Sequence, residues 1–530
     1  SGVNAIGGDL TISGGNVTFG NSDQLPNTAS VTISSGTLNG TGPDSGYRSS
    51  HTETIDSLTM TGGAFNSGIT STWTIDKGDI TGGSNGAQVY INSAATVTFT
   101  RLSLTNMNGT TYRSGGYFYL FGNRSTQTTL KIGRGGLTLN NSIIQLAHGG
   151  GTARGSRVVL DGDLTTTGTA SSEIKQAAGT GNVALELSSE AGEVTRTFNI
   201  GADLTISIPI SNGAATSAGI TKTGPGTLVL SGNNTYTGTT TVSAGILEIQ
   251  HANALGASGT GQGTTVASGA TLRVRNVTSP IYEPITIAGD GFGGSGGALR
   301  SETDGTTWAG PITIQSNNYA RIQSNSGTLY ITGGITGTSN AYLQGSSGTQ
   351  IHVKQNPIDL GTAILYVMFG NTVLIEKPAD PTKSHKWGTT WVTRGSTLKL
   401  LNDEVLPSTA LLVLGTDSSN NTDGTLDMNG YTQTIGGLRH GTGTGTRKVI
   451  NSGAGASTLT INNTANYTFA GTIEGNIHLV KQGSGTQTLS GNNTYTGTTT
   501  VSEGILEIQN ASALGASGTG QGTTVASGAT

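Results

Sequence analysis

The sequence predicts an all-β protein, specifically a parallel β-helix (β-solenoid) built of stacked coils. Its clearest indication is an internal repeat, because Ser231–Thr271 returns as Ser490–Thr530 with only three substitutions. Such self-similarity is typical of architectures in which each unit packs on its neighbour. Composition agrees, since 86 of the 530 residues are glycine and only 11% are charged. Abundant Thr, Val and Ile favour strands, while Gly and Asn favour the turns between them.

Short strands joined by glycine-rich turns recur along the chain. Leu10–Phe19 (LTISGGNVTF) and Leu58–Phe65 (LTMTGGAF) both show the pattern. Period-two alternation over about four to six residues predicts half-buried strands, and sustained helical spacing is absent. Strand clusters lie roughly 15 to 27 residues apart, which fits one coil per cluster. An antiparallel sandwich or jelly roll is the structural alternative, but the internal repetition favours stacked coils.

We expect one elongated body, because a solenoid adds core coil by coil and escapes the size limit of a single globular core. The sequence suggests four segments. They are a β-solenoid without a clear repeat unit (1–200), a solenoid with the first repeat (201–355), an irregular excursion or loop-bearing set of coils (356–400), and a solenoid with the second repeat (401–530). The second copy stops where the first continues into another strand. We therefore expect a chain truncated from a longer protein.

Charge and apolar patterning narrow the classes of function. The net charge is −4 and the basic residues are scattered, so the sequence predicts no nucleic-acid partner. The chain contains no cysteine, which suits export in an unfolded state but also suits many cytosolic proteins. No apolar run approaches the ~20 residues of a membrane-spanning helix; the longest is Ala363–Phe369.

The repeat itself carries a family resemblance. Lys222–Gly238 (KTGPGTLVLSGNNTYTG), continued by Thr239–Leu247 (TTTVSAGIL), resembles the autotransporter-associated β-strand repeat, also called the passenger-associated transport repeat. The second copy begins at Lys481, with Ser484 in place of the proline and Gln487 in place of a leucine. The resemblance implies a right-handed β-helix and a secreted or cell-surface passenger of a Gram-negative-type bacterium. It also implies an outer-membrane translocator, which we expect to lie outside this sequence.

Motifs that carry chemistry are scarce. Gly289–Gly294 has dinucleotide-binding spacing, but Ser295–Gly297 is unfavourable for the helix that phosphate binding requires. The same loop, with Asp290, faintly resembles a calcium-binding repeat, and a glycine-rich turn explains it better. Oxygen ligands for calcium could also come from an acidic scatter, although solvated turns account for it: Asp403, Glu404, Asp417, Asp423 and Asp427.

The histidines are isolated and lack metal-ligand spacing. A β-helix can also hold a polysaccharide lyase or glycosidase, whose candidate residues would be Asp76, Lys77, Asp79 and Arg101. That interpretation rests on analogy of fold, and fold does not imply function. We predict no catalytic, cofactor-binding or metal-binding residues and no cofactor.

The sequence also offers a candidate adhesive patch. Tyr112–Phe121 (YRSGGYFYLF) is the densest aromatic cluster, and the segment that contains Trp387 is rich in proline and mixed charge. Exposed rings beside Arg could stack on sugars, whereas an internal aromatic stack is the simpler interpretation. The residues predicted for the patch are Tyr112, Arg113, Tyr117, Tyr119 and Trp387.

Repetition, low charge and missing chemistry together favour a structural function. We expect a non-catalytic secreted or cell-surface β-solenoid that serves as a stalk or as the building unit of an extracellular fibre, with self-association end to end or side by side. An adhesin that binds glycans or neighbouring cell surfaces is the second interpretation. A polysaccharide-active β-helix enzyme is the third.

Overall fold

The computed structural model confirms an all-β parallel solenoid. It describes residues 8–19, 24–40, 51–82, 86–92, 94–109, 116–122, 127–148, 155–177, 182–259, 262–294, 296–417, 423–518 and 521–530. Within these ranges there is no α-helix, and a short 3₁₀ turn, Phe292–Gly294, is the helical element. Contacts between residues divide the chain into two compact units, 1–265 and 266–530. The four segments proposed from the sequence remain an interpretation.

The strands of the first unit are mostly short and alternate buried with exposed residues. They are β1 (Leu10–Thr18), β2 (Ser30–Asn39), β3 (Thr52–Met60), β4 (Ala64–Asn66), β5 (Thr72–Thr81), β6 (Gln88–Ile91), β7 (Thr96–Thr105), β8 (Tyr117–Gly122), β9 (Thr128–Asn140), β10 (Ile143–His148), β11 (Ser156–Leu160), β12 (Leu164–Thr167), β13 (Ser172–Gln176), β14 (Ala184–Glu186), β15 (Glu193–Ile200), β16 (Leu204–Ile206), β17 (Ile210–Ser211), β18 (Ser217–Thr223), β19 (Thr227–Leu230), β20 (Thr240–Val242) and β21 (Gly245–Ile249). Strand β22 (Thr264–Val266) lies at the boundary.

The second unit continues the same pattern. Its strands are β23 (Ala270–Val274), β24 (Ile285–Ile287), β25 (Leu299–Ser301), β26 (Thr306–Trp308), β27 (Ile312–Ile314), β28 (Ala320–Ser324), β29 (Thr328–Ile331), β30 (Ile335–Gly337), β31 (Ala341–Gly345), β32 (Gln350–Gln355), β33 (Ile358–Asp359), β34 (Ile364–Met368), β35 (Thr372–Pro378), β36 (Thr389–Val392), β37 (Ser396–Leu400), β38 (Leu411–Leu414), β39 (Gly424–Asp427), β40 (Gln433–Ile435), β41 (Gly437–His440), β42 (Arg447–Ile450), β43 (Ser457–Asn462), β44 (Tyr467–Phe469), β45 (Thr472–Glu474), β46 (Ile477–Gln482), β47 (Thr486–Leu489), β48 (Thr499–Val501), β49 (Ile505–Ile508) and β50 (Thr523–Val525).

Parallel pairing in register builds the core of the first unit. One inward column runs from Ile144 through Ile174 and Ile206 to Leu230, along β10, β13, β16 and β19. A second column joins Val158, Leu185 and Ile210. These side chains are almost completely buried, and full burial of an aliphatic side chain is worth about 1.5–3 kcal/mol. Stacked aliphatic columns therefore supply the stability that a globular core supplies elsewhere.

Three parallel ladders form the first part of the second unit. Each turn of the solenoid there contributes one strand to the β24–β27–β30–β33 ladder, one to the β25–β28–β31–β34 ladder and one to the β26–β29–β32–β35 ladder. An inward column joins Leu299, Ile322, Leu343 and Val367. The segment 356–400 fits this scheme, since its strands pair in register and only 379–388 separates β35 from β36.

Carboxylates just before strands tie successive turns together. Asp203 Oδ1 accepts the backbone N–H of Thr227, the first residue of β19, at 2.7 Å. Asp304 and Asp163 accept N–H groups of Thr328 and Thr197 in the same way. Because each bond joins residues 24 or more positions apart, these side chains help to set the register between turns.

Candidate functional site

The first repeat unit buries a lysine in a column of apolar residues. Lys222 lies in register between Phe198 and Val242 and is completely buried. Its Nζ donates to the carbonyl oxygens of Thr223 (3.0 Å), Gly224 (2.7 Å) and Ala244 (2.9 Å). The ammonium group thus satisfies three carbonyls at the tight turn between β18 and β19 and at the entrance to β21. It holds two successive turns together.

The second unit repeats this arrangement around Lys481. Lys481 lies between Ile461 and Val501 and is also completely buried. Its Nζ donates to the carbonyl oxygens of Gln482 (2.6 Å), Gly483 (2.7 Å) and Glu503 (3.3 Å). Two copies that differ in sequence around the lysine therefore form the same contacts, which marks the lysine as part of the repeat's own structure.

Close packing around the lysine requires a glycine. Gly245 has a φ of +67°, and a Cβ there would lie 2.5 Å from Gly224 O and 2.7 Å from Lys222 Nζ. Gly504 has a φ of +69° and the same close neighbours in the second copy. A side chain at either position would displace the ammonium group from its carbonyls.

A buried asparagine and a buried tyrosine complete each repeat. Asn234 Oδ1 accepts the N–H of Ile210 (2.9 Å), and its Nδ2 donates to Ala254 O (2.6 Å). Asn493 bonds to Ile473 and Ala513 with the same distances. The hydroxyl of Tyr236 is 2.7 Å from Thr240 Oγ1, and Tyr495 is 2.6 Å from Thr499 Oγ1. The lysine, asparagine and tyrosine of each repeat all bond within the protein, so these three side chains are not free to react.

Burial shifts the titration of these groups. It lowers the pKa of Lys222 to about 8, and the carboxylate of Asp203 partly opposes this shift. Burial also lowers the pKa of Lys481, with Glu503 opposing it. The pKa of Tyr495 is raised, again chiefly by burial. A low dielectric disfavours the charged form of each group.

The described residues of the predicted adhesive patch do not form an exposed patch in the structure. Tyr112 and Arg113 lie outside the described residues. Tyr117 is only 3% exposed and Trp387 only 2% exposed. Trp387 Nε1 donates to Thr390 Oγ1 at 2.7 Å. Tyr119 is partly exposed and stacks on Tyr117 with ring centroids 5.2 Å apart, so among the described members it alone offers surface to a ligand.

The other candidate residues have structural partners. Asp290 pairs with Arg321 and accepts a hydrogen bond from the Tyr319 hydroxyl, both at 2.5 Å. The glycine-rich loop beside it forms a 3₁₀ turn, and no α-helix begins there. The four residues that were candidates for a catalytic site pair with one another on the surface. Lys77 lies 3.7 Å from Asp76, and Arg101 lies 3.0 Å from Asp79.

The acidic scatter also has structural partners. Asp403, Glu404 and Asp423 accept backbone N–H groups, while Asp417 pairs with Arg439 and Asp427 with Lys399. These contacts tie one turn of the solenoid to another. No group of three or more metal-ligating side chains occurs among the described residues. The same part of the chain contains no helix that is long and apolar enough to cross a membrane.

Sequence reasoning missed an outward-facing aromatic ladder in the second unit. Tyr342, Tyr366 and Trp391 lie in register on β31, β34 and β36. Centroids are 4.3 Å apart for the tyrosines and 5.5 Å apart for Tyr366 and Trp391. Arg321 lies over Tyr342 and Arg439 over Trp391 at the two ends. The recurrence of aromatics one coil apart, at 24 and 25 residues, was the signal that could have revealed it.

Comparison with known proteins agrees with the repeats and the fold. The family model of the passenger-associated transport repeat matches residues 220–249 and 479–508. Each match contains the buried lysine, asparagine and tyrosine described above. The chain thus carries two passenger-associated transport repeats, and the resemblance to autotransporter passenger domains is confirmed.

A curated relative points to the same class. The chain is 30% identical over 302 residues to a protein described as adhesin BmaC autotransporter from Brucella suis biovar 1 (strain 1330). The match covers 48% of this chain and 8% of the relative. No solved structure matches significantly. Together these findings support a surface passenger domain with a β-solenoid fold.

Proposed function

We propose that this chain is a non-catalytic, extracellular structural β-solenoid, a stalk or the building unit of a fibre on a Gram-negative-type bacterium. The observation that carries the proposal is the inward direction of the polar side chains of both repeats. Lys222 and Asn234, with their counterparts in the second copy, form hydrogen bonds to backbone groups of their own and adjacent turns. Tyr236 and Tyr495 bond to the hydroxyls of nearby threonines. Such a repeat builds length and stability, and its duplication extends a spacer.

Two partners follow from this proposal. A fibre requires that copies of the chain associate end to end or side by side, and export requires the outer-membrane translocator that the passenger resemblance implies. No nucleic-acid partner is proposed, because the net charge is −4 and carboxylates neutralise basic side chains such as Arg101, Arg157 and Arg439.

Electron microscopy of the secreted protein over a range of concentrations tests the structural role. A stalk segment gives particles of constant length at all concentrations. A fibre unit gives filaments that lengthen with concentration and shorten on dilution, since head-to-tail contacts without closure grow indefinitely. Compact particles that degrade a polysaccharide would contradict the proposal and support the enzymatic interpretation.

An adhesin is the second candidate function. It is favoured by the Brucella relative, which is described as an adhesin, and by partly exposed aromatic side chains such as Tyr119, Tyr342 and Tyr366. Glycan-array and cell-adhesion assays of the intact chain test it. Loss of binding in Tyr119→Ser, with unchanged thermal stability, would place the adhesive site at Tyr119, and unchanged binding would remove that site.

A further inference from the structure

One corner of the second unit carries two bulky residues in a conformation that normally suits glycine. Phe369 and Arg394 have φ angles of 71° and 55°, and the glycines that follow them have φ angles of 82° and 79°. Elsewhere in the described chain the left-handed residues other than glycine are most often asparagine, which tolerates this region. A phenylalanine there is energetically unfavourable, and such strain is concentrated at functional sites.

The two residues belong to one rigid corner, which we call the Phe369–Arg394 corner. Phe369 follows β34 and Arg394 follows β36, and these strands pair in register. The hydroxyl of Ser396 accepts the N–H of Gly370 (2.9 Å) and donates to Asn371 Oδ1 (3.1 Å). These bonds tie the two turns together at the corner. The unusual conformation is therefore held by the fold.

An aromatic ring and an unpaired cation meet at this corner. The Phe369 side chain is 37% exposed, and the guanidinium of Arg394 lies 4.6 Å from its ring centroid. Arg394 is exposed and forms no ion pair with any carboxylate of the described residues. Arg321 also approaches the ring, at 5.8 Å, but it is neutralised by Asp290. Arg394 thus leaves a positive charge available for a ligand.

The aromatic ladder borders the corner. Arg321 lies 5.7 Å from the ring centroid of Tyr342 and 5.8 Å from that of Phe369, so ladder and corner form one continuous surface. The ladder rings cover one another's faces through stacking. Their edges, including the tyrosine hydroxyls, are the parts that can donate and accept hydrogen bonds. The exposed part of the Phe369 ring is the apolar platform of this surface.

We propose that the Phe369–Arg394 corner binds an acidic polysaccharide. A sugar carboxylate would pair with the Arg394 guanidinium, whose planar fork matches carboxylate geometry. The C–H face of the sugar would pack on the exposed, electron-rich surface of Phe369. Hydroxyls of the next sugars would reach the edges of Tyr342 and Tyr366. The inference rests on the adhesin function proposed above and names its ligand class.

Binding of polygalacturonate to the intact chain, measured by calorimetry at two salt concentrations, tests this assignment. We expect binding that weakens with salt, and a loss of about tenfold or more in Arg394→Gln and in Phe369→Asn, because each removes one of the two anchoring contacts. Phe369→Asn should also raise the thermal midpoint, since asparagine tolerates the left-handed region. Tyr282→Asn is the matched control, because Tyr282 is an aromatic residue of the same unit that is 65% exposed. This variant should bind polygalacturonate as the unmodified chain does.

Four outcomes would overturn the assignment. Equal binding of carboxyl-reduced polygalacturonate would show a neutral-glycan surface, and unchanged binding in both corner variants would place the site elsewhere. No binding of polygalacturonate by a chain that still binds other glycans on an array would remove the acidic ligand and leave the adhesin function standing. A chain that binds no glycan and no cell surface would remove both.

Discussion

The two repeat copies have the same polar skeleton but different apolar neighbours. Lys222 and Lys481, Asn234 and Asn493, and their tyrosines form matching hydrogen bonds. Leu228, by contrast, is replaced by Gln487. Both side chains are completely buried. The comparison suggests that buried polar contacts define the repeat, whereas a core aliphatic residue can change when the surroundings of the second copy require it.

The reason for the replacement lies in the strand ladder. Leu228 is flanked in register by Leu204 and Leu247, so an apolar side chain fits its column. Gln487 instead reaches β41, whose described pairing is with β38. Its Nε2 donates to Leu438 O (3.0 Å), and its Oε1 accepts the N–H of Leu438 (3.3 Å). The side-chain amide takes the place of a backbone amide where the ladder is interrupted.

Removing either buried lysine should have the largest effect. Lys222→Met or Lys481→Met keeps an apolar column but leaves three carbonyls without a donor, and each unsatisfied buried group costs about 1–3 kcal/mol. We expect each variant to lose roughly 2–4 kcal/mol of unfolding free energy, measured by denaturant unfolding together with hydrogen exchange in the affected unit. Lys77→Met, at a half-exposed lysine, is the control. An equally small loss in all three would refute the shared role of the lysines.

The pH dependence separates the charge of Lys222 from its packing. Burial lowers its folded-state pKa to about 8, whereas the unfolded chain keeps this proton up to about pH 10.4. Between these values the unfolded state binds more protons, so raising the pH stabilises the folded protein by at most about 1.4 kcal/mol per pH unit. The unfolding free energy of the native chain should therefore rise from pH 8 to 10 relative to Lys222→Met. A constant difference would show that the three carbonyls hold the proton as firmly as water does.

Exchanging the residues that differ between copies tests the ladder explanation. Gln487→Leu leaves the N–H and C=O of Leu438 unpaired and should cost about 1–3 kcal/mol. Leu228→Gln buries an amide between two leucines without a partner and should cost a similar amount. Gln487→Leu should also accelerate hydrogen exchange at the Leu438 amide. If either substitution leaves the unfolding free energy unchanged, that site accepts leucine and glutamine equally well. The interruption of the ladder would then not explain Gln487.

The sequence could predict the fold class but only part of the functional surface. Alternating strands and the repeat indicated a solenoid, because each local pattern agrees with parallel stacking. Lys222 follows Ala218 and Ile220 on the inward side of β18. Strict alternation along the strand therefore predicts that Lys222 points into the core, although a lysine ordinarily indicates an exposed position. The Tyr342–Tyr366–Trp391 ladder and the Phe369–Arg394 corner depend on the register between turns. The spacing of the aromatics is consistent with the ladder, but it does not by itself fix which residues of successive turns lie side by side.

The smallest expected effect concerns the side-chain oxygen that accepts a backbone N–H beside each repeat. Asp203 accepts the N–H of Thr227 (2.7 Å), whereas Asn466 accepts that of Thr486 (2.9 Å) in the second copy. Since the neutral amide serves in one copy, Asp203→Asn should change the unfolding free energy by less than about 0.5 kcal/mol, and Asp203→Ala should cost about 1 kcal/mol. Asp203→Asn also removes the charge that raises the pKa of Lys222, so the rise in stability should begin at a lower pH. A larger loss in Asp203→Asn than in Asp203→Ala would mean that the charge, and not the hydrogen bond, holds the two turns together.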